Sequence, residues 1–517
     1  MPSNQQSTYY VTTPIYYVND EPHLGHLYTT VAADVLARHQ RLSGIDTYFL
    51  TGVDEHGLKV QQAAEARGIA PIDLADEVVA HYRALWPKFS ISNDDFIRTS
   101  SEHHKRGVAA MWNRLRDAGA LYKGFYEDWY CVPCETYWTE TQLKEHGEDG
   151  VCPDCRRSVE KVQEESWFFR LSDYQQPLLD YYAAHPDFIG PDSRRNEVMR
   201  FVEGGLNDLS VSRNTFTWGV PVPDDAGHVI YVWIDALTNY LSALGFPDED
   251  AEAMRFWPAD IHLIGKDILR FHAIYWPAML MAAGLPLPKR IFAHGWWTVD
   301  GEKMSKSKGN ALQPAQMLEQ VDADVIRYFL LREVPFGHDG DFSFDALKRR
   351  YNSELANDLG NMVNRTLSML HKYRGGVLGV VHAEQAEYRA WIADIEAMQQ
   401  EVDAAINTQA FHLALERIHQ VVRHGNRMVE ESAPWRLAKQ GDDDRLDSVL
   451  YHLVEGLRLV VLQLSPFMPS KCDQLMAQIM GERAGLEQNL THHGGWGLLT
   501  VGHRCAEPVP VFPRMEL

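Results

Sequence analysis

The stretch "EPHLGHLYTTVAADVLARHQRLSG", Glu21 to Gly44, decides how the first third of the chain reads. It follows the β-branched and aromatic run "TYYVTTPIYY", which reads as a strand. In the stretch itself Leu27, Val31, Val35 and Leu42 fall near one helical stripe, and Gly44 stands after the last of them. That is an amphipathic helix with a glycine stop. Beyond it "IDTYFLTGVD" reads as a strand, "LKVQQAAEARG" and "LADEVVAHYRALW" as helices, and "DDFIRTS" as a strand. "SEHHKRGVAAMWNRLRDAG" then reads as a helix with a serine cap and a glycine stop. Strand and helix in turn imply an α/β fold with a doubly wound, Rossmann-type parallel sheet.

The alternation breaks near Leu121, where aromatic strand-like text and two cysteine pairs intervene. It resumes with "HVIYVWIDA", "IHLIGKDI", the helix "LRFHAIYWPAMLMAAG" and the strand "RIFAHGWWTV". A sheet interrupted and resumed indicates an insertion. From Phe344 onward the text is helical, and the tail "EPVPVFPRMEL" reads as an extended segment that packs back on the body. The expected organisation is therefore a first Rossmann-type half over 1–120, a connective insertion with a cysteine knuckle over 121–219, and a second Rossmann-type half over 220–298. A loop and linking region over 299–345 and a helical-bundle domain over 346–517 complete it.

With 517 residues, 45 % hydrophobic and 23 % charged, the chain has the composition of a multidomain globular protein without low-complexity tracts. The opening "MPSNQQSTYY" has neither Arg nor Lys nor a signal-length apolar core, and no uncharged run is long enough to span a bilayer, so no membrane partner and a cytoplasmic location are expected. A formal charge of −22 argues against nonspecific coating of nucleic acid, which needs positive charge, but leaves room for a local basic face. Of six cysteines, Cys131/Cys134 and Cys152/Cys155 pair as C-x₂-C units. Two such units suit tetrahedral thiolate binding of one structural zinc; two disulfides or a redox pair are the alternatives. His146 lies between the pairs and reads as a surface residue more than a substitute ligand.

In an α/β sheet, ligands bind beyond the carboxyl ends of strands, where helix N-termini offer free N–H groups to anions. "HLGH" sits at such a junction, with His23 and His26 on one face of the first turn and Gly25 leaving the backbone open to a flat base. Alone, such a pair is more often a solvated cap than a nucleotide site. "VDGEKMSKSKGN", Val299 to Asn310, places Lys303, Lys306 and Lys308 between Gly301 and Gly309 in a loop suited to closing on phosphates, although a solvated basic turn would read the same way.

The two motifs together resemble the class I aminoacyl-tRNA synthetases, whose paired signatures are a HIGH-type sequence and KMSKS. Within that class the chain is most similar to the methionyl-tRNA synthetase family, on "TTPIYYVNDEPHLGH", "FLTGVDEHG", "YVWIDALTNY", "IGKDILRFHAIYWPAML", "ELANDLGNMVNR" and "APWRLAK". The resemblance covers essentially the whole chain. It implies activation of L-methionine by ATP, with magnesium, to methionyl-adenylate and pyrophosphate, and transfer of methionyl to the 3′ end of tRNA(Met). The alternative is a catalytically inactive relative that binds tRNA or amino acid as a regulator, against which the intact motifs count.

By that resemblance His23, Gly25, His26, Gly265, Lys266 and Asp267 hold ATP, with Asp267 at the ribose, and Lys303 and Lys306 stabilise the leaving pyrophosphate. Ile15, Tyr17, Trp233, Tyr240 and His272 surround the methionine side chain and Asp54 takes its ammonium group. Read without the family, Trp233 and Tyr240 are core residues of a strand. Asn361, Arg365 and Trp435 match anticodon-reading positions; without the family, Trp435 reads as a helix-start anchor and Arg365 as a solvated base. The insertion looks too short for a hydrolytic editing domain, which disfavours the leucine, isoleucine and valine enzymes. No C-terminal dimerising module follows the bundle, so a monomer is expected. The histidines of "EHHK" read as solvated, and Trp296 and Trp297 as packing residues.

Overall fold

In β1 (Thr8–Thr12) successive side chains point to opposite faces, so Tyr10 and Val11 are both fully buried but in different apolar clusters. The computed structural model describes residues 7–18, 21–134, 136–138, 143–144, 150–299, 301–303, 312–381, 386–481 and 490–516. β2 (Tyr16–Tyr17), α1 (Leu24–Leu42), β3 (Asp46–Asp54), β4 (Asp95–Arg98), β5 (Ile189–Gly190), β6 (Ile261–Gly265) and β7 (Ile291–His294) complete the elements that frame the site. The seven strands form one sheet in the order β2–β3–β1–β6–β7–β5, with β4 on β3, and every pairing is parallel. The chain leaves β1 for β3 on one side, while β6 continues to β7 on the other. The switch point, where such sheets bind ligands, lies between the carboxyl ends of β1 and β6.

Within the stretch expected to be an insertion, β5 returns to the main sheet, with Ile189 opposite Ile291. The long strands Leu121–Cys131 and Glu160–Phe169 form an antiparallel hairpin that carries the cysteine pairs. One expectation is corrected: "HVIYVWIDA" does not resume the parallel sheet. Asp225–Ile230 pairs antiparallel with two short strands in a separate three-stranded sheet. The chain then turns at Tyr231 into the helix α2 (Val232–Ser242), which carries Asp235 in its first turn. Trp233 and Tyr240 therefore stand on a helix, not a strand.

One apolar cluster runs without a break from Leu24, Val31 and Val35 of α1 to Leu415, Leu459 and Leu464 of the helical region. The junction is also polar. Arg327, fully buried, pairs with fully buried Asp34 of α1 at 2.7 Å, and donates to the carbonyls of Phe89, Pro466 and Phe467. The tail packs back as expected: Tyr351 and Asn352 bond the carbonyls of Pro513 and Met515, and Val511 and Phe512 are buried. No helix among the described residues is long and apolar enough to cross a membrane.

Candidate active site

His23 caps α1. Its Nδ1 accepts from the Gly25 N–H at 3.1 Å, and Nδ1 of His26 accepts from the His23 N–H at 3.4 Å, so the two rings form a reciprocal cap. They stack with centroids 3.6 Å apart. The Tyr82 hydroxyl lies 2.9 Å from the same Nδ1 of His26, and Tyr16 packs against its ring. Because both Nδ1 atoms accept, the network assigns the ring protons to Nε2. Burial lowers the pKa of His23, opposed by the charge of Asp267; burial and then His23 hold His26 well below its ordinary value. Both rings are thus neutral donors at the positive end of a helix, which is what an anionic oxygen needs. Gly25 has a nearer reason than ligand access: a Cβ there would stand 2.9 Å from Cε1 of His23.

Across the switch point, Gly265 ends β6 and is followed by Lys266 and Asp267. A Cβ on Gly265 would meet the Asp267 carboxylate at 2.5 Å. That carboxylate is exposed, and its charge reaches His23, His272 and His294. Trp296 donates from Nε1 to Asp267 at 3.2 Å and lies under the Lys266 ammonium, 4.2 Å from its ring centroid. Lys266 pairs with both oxygens of Asp339 at 2.7 and 2.8 Å, and Asp339 also accepts the Trp296 N–H. Only Trp297 of the tryptophan pair is a packing residue, at 2 % exposure. Trp296 belongs to the site because its indole N–H and face meet two charged groups.

A second cluster holds residues expected around methionine. Tyr240 bonds Nε2 of His272 at 2.7 Å, and Nδ1 of His272 lies 3.0 Å from the Ile268 carbonyl, which makes His272 accept from the tyrosine. Burial lowers His272 to about 4, so it is neutral. Trp233 stands edge-on to His272 and stacks on Phe271. Ile15 and Tyr17 pack against the same cluster, and Tyr17 is opposite Asp54 in the ladder between β2 and β3. Of the six residues expected around methionine, Trp233, Tyr240 and His272 touch one another, and Tyr17 stands beside Asp54 on the neighbouring strand. His262 was not expected: fully buried, it stacks on Tyr240 at 4.1 Å, with Nδ1 on Thr12.

The turn after β3 is held by a second set. Asp54 Oδ1 accepts the His56 N–H at 3.4 Å, and fully buried Glu55 takes Arg98. His56 Nδ1 and His104 Nε2 reach the two oxygens of Asp235 at 2.6 and 2.8 Å. Burial alone would raise the Asp235 pKa, but the two histidines outweigh it and hold it at about 2. His104 of "EHHK" is therefore not solvated; it faces the core, on the buried side of the helix Glu102–Asp117.

The sulfurs of Cys131, Cys134, Cys152 and Cys155 lie within 4.8 Å of one another. Cys131–Cys155 and Cys134–Cys152 are 3.4 and 3.8 Å apart, too far for disulfides and close to the roughly 3.8 Å edge of a tetrahedron with zinc–sulfur bonds of about 2.3 Å. The cluster fits one zinc. Its surrounding core is small, with Trp138, Leu143 and Val159. Lys303 pairs through its backbone with Thr298, while its side chain, Lys306, Lys308 and His146 lie outside what is described. Asn361 is exposed on the helix Gly360–Arg374, Arg365 on the same helix pairs with Glu430 at 2.7 Å, and Trp435 is 39 % exposed rather than anchored in a core.

The family model described as tRNA synthetases class I (M) matches residues 9–163 and 155–367. The methionine–tRNA ligase of Caldanaerobacter subterraneus subsp. tengcongensis is 49 % identical over 516 residues, covering 99 % of this chain and 80 % of that protein. The chain belongs to the methionine–tRNA ligases of class I. The Rickettsia conorii methionine–tRNA ligase is 46 % identical and matched over 99 % of this chain and 100 % of its own length. Mycobacterium tuberculosis methionyl-tRNA synthetase in complex with methionyl-adenylate superposes with a TM-score of 0.93 at 43 % identity, covering 98 % of this chain and 100 % of that one. Its apo form superposes with 0.88 at 39 % identity, over 100 % of both.

Proposed function

We propose that this methionine–tRNA ligase runs both of its steps in the crevice between the ends of β1 and β6, with the residues assigned above. The observation that carries the reading is the reciprocal cap of His23 and His26, which leaves both Nε2–H groups as donors, with the Asp267 carboxylate close enough for its charge to act on His23. In activation, a carboxylate oxygen of methionine attacks the α-phosphorus of ATP. A C(O)–O–P bond forms, the bond from the α-phosphorus to the bridging oxygen breaks, and its electron pair leaves with pyrophosphate. No protein nucleophile is needed; the site has to align an anion with the phosphorus and neutralise charge as it develops.

Each residue has a chemical task. His23 and His26 donate to phosphate oxygens, Gly265 and Lys266 border the nucleotide, and Asp267 accepts from the ribose hydroxyls. Lys303 and Lys306 neutralise the departing pyrophosphate; magnesium bound to ATP supplies further charge neutralisation. Asp54 pairs with the substrate ammonium, while Ile15, Tyr17, Trp233, Tyr240 and His272 enclose the thioether, which favours aromatic surroundings. In the second step the 3′-terminal ribose hydroxyl of tRNA(Met) attacks the acyl carbon and AMP leaves. Asn361, Arg365 and Trp435 read the anticodon, Trp435 by stacking, which is worth roughly 1–3 kcal/mol per base. The four cysteines hold one zinc that fixes the hairpin.

Charging of tRNA(Met) with labelled methionine, compared between wild type and Trp435→Ala, tests the reading of both substrates. Methionine charging that falls at least about tenfold in the variant, with adenylate formation intact, supports it. Equal charging by both proteins removes Trp435 from the anticodon site, and no charging by wild type removes the reading as a whole.

A further inference from the structure

Asp235 is fully buried and ionised, and its two oxygens are taken by rings from two other elements: His56 at 2.6 Å, from the turn after β3, and His104 at 2.8 Å, from the helix Glu102–Asp117. His104 is fixed at its other nitrogen by the Ser242 hydroxyl at 2.7 Å, at the far end of Asp235's own helix. A buried, hydrogen-bonded carboxylate contributes little net stability, because desolvation offsets the attraction; what it fixes is geometry.

The geometry in question is that of the amino-acid pocket. Asp54 and His56 stand on one turn, and the His56 N–H reaches the Asp54 carboxylate at 3.4 Å. Trp233 and Tyr240 stand on α2, together with Asp235. The other braces of the turn point elsewhere: Glu55 goes to Arg98 and to the N–H of Ser100, and Gly57 donates to the carbonyl of Trp218. The bond from His56 to Asp235 ties the turn to α2.

We propose that Asp235 is a positioning residue for methionine: through His56 it sets the separation between the carboxylate that takes the ammonium group and the aromatic wall that takes the thioether. It does not touch substrate. The ATP-binding groups lie on α1 and at the end of β6, outside this linkage. Loss of the bond therefore loosens the fit of methionine and leaves ATP binding as it was. The proposal rests on the reading of Asp54 as the ammonium site.

Pyrophosphate exchange on Asp235→Asn tests it. The amide keeps the shape but cannot accept from both rings. The KM for methionine should rise at least about tenfold, with the KM for ATP within about twofold of wild type. His104→Leu keeps the His56 contact; it should lower Tm and leave the KM for methionine within about threefold. If Asp235→Asn does not fold, His56→Leu gives the same readout. Parallel rises for methionine and ATP, or equal rises in methionine KM for His104→Leu and the Asp235 or His56 variant, would mean general loosening and overturn the proposal. Asp54→Asn separates the two layers. If it leaves the KM for methionine unchanged, the pocket reading falls and takes this proposal with it. If it raises that KM while Asp235→Asn does not, the proposal alone is overturned.

Discussion

Gly25 and His23 touch so closely that a Cβ on residue 25 would stand 2.9 Å from Cε1 and 3.1 Å from Nδ1 of the His23 ring. The ring is the cap of α1 and cannot yield without giving up its bond to the Gly25 N–H. Gly25→Ala should therefore displace the His23 donor. Loss of the cap costs about 1 kcal/mol of stability, whereas a misplaced phosphate donor costs adenylate formation about tenfold or more. Thermal unfolding and pyrophosphate exchange on the same preparation separate the two effects, and a small drop in Tm with a large drop in rate is the expected pattern.

The joint between the catalytic and helical regions makes a different prediction. Arg327 and Asp34 are both fully buried. Burial would raise the Asp34 pKa, but Arg327, Arg38 and the bonds from Ser92 hold it below its ordinary value. Removing one partner of such a pair strands a buried charge, so Arg327→Met should cost about 3 kcal/mol. Urea unfolding followed by far-ultraviolet circular dichroism reads the loss directly.

Much of the site was legible in sequence because its residues sit where strand meets helix. The pair "HLGH" opens the helix that follows β1 and β2, and the run "GKD" stands at the carboxyl end of β6; local pattern alone placed both junctions. The misreadings have one physical cause. Trp296 looks like half of an apolar pair until Asp267, Lys266 and Asp339 are seen around its ring; they come from another strand end and a later loop. His104 looks solvated in "EHHK" because its partners, Asp235 and Ser242, lie more than 130 residues away. No local period announces a bond of that reach. "HVIYVWIDA" misled in the opposite way, since its β-branched run continues across the Tyr231 turn into the helix that carries Trp233.

Acid should destabilise the fold. Burial lowers His272 and His419 from 6.5 to about 4, so the unfolded chain binds protons that these native rings refuse. Their stabilisation is fully present above pH 6.5 and is lost as pH falls towards 4, at about 1.4 kcal/mol per pH unit for each ring. Asp324, raised by burial to about 6, works against them in the same window, because its native form takes a proton earlier than the unfolded one. Two rings against one carboxyl leave a net loss on acidification. Chemical unfolding at pH 7 and pH 5 should show lower stability at pH 5.

Metal removal should act locally. The four thiols stand at the end of the hairpin where its two strands are joined, around a small core, whereas the helical region shares the large core with α1. Purified protein should carry close to one zinc per chain. A strong chelator should release it and make four thiols reactive, with the main unfolding transition retained. Cys472 and Cys505, buried in the helical region, should stay unreactive until that transition.

The most direct test of methionine activation at this crevice is amino-acid-dependent ATP–pyrophosphate exchange, with methionine, leucine, isoleucine and cysteine offered to wild type and to His26→Ala. Exchange with methionine alone is expected, reduced by a factor of about 100 to 1,000 in the variant, the loss that follows removal of a donor to developing charge. Exchange with a different amino acid, or methionine-dependent exchange that His26→Ala leaves intact, would contradict methionine activation at this crevice.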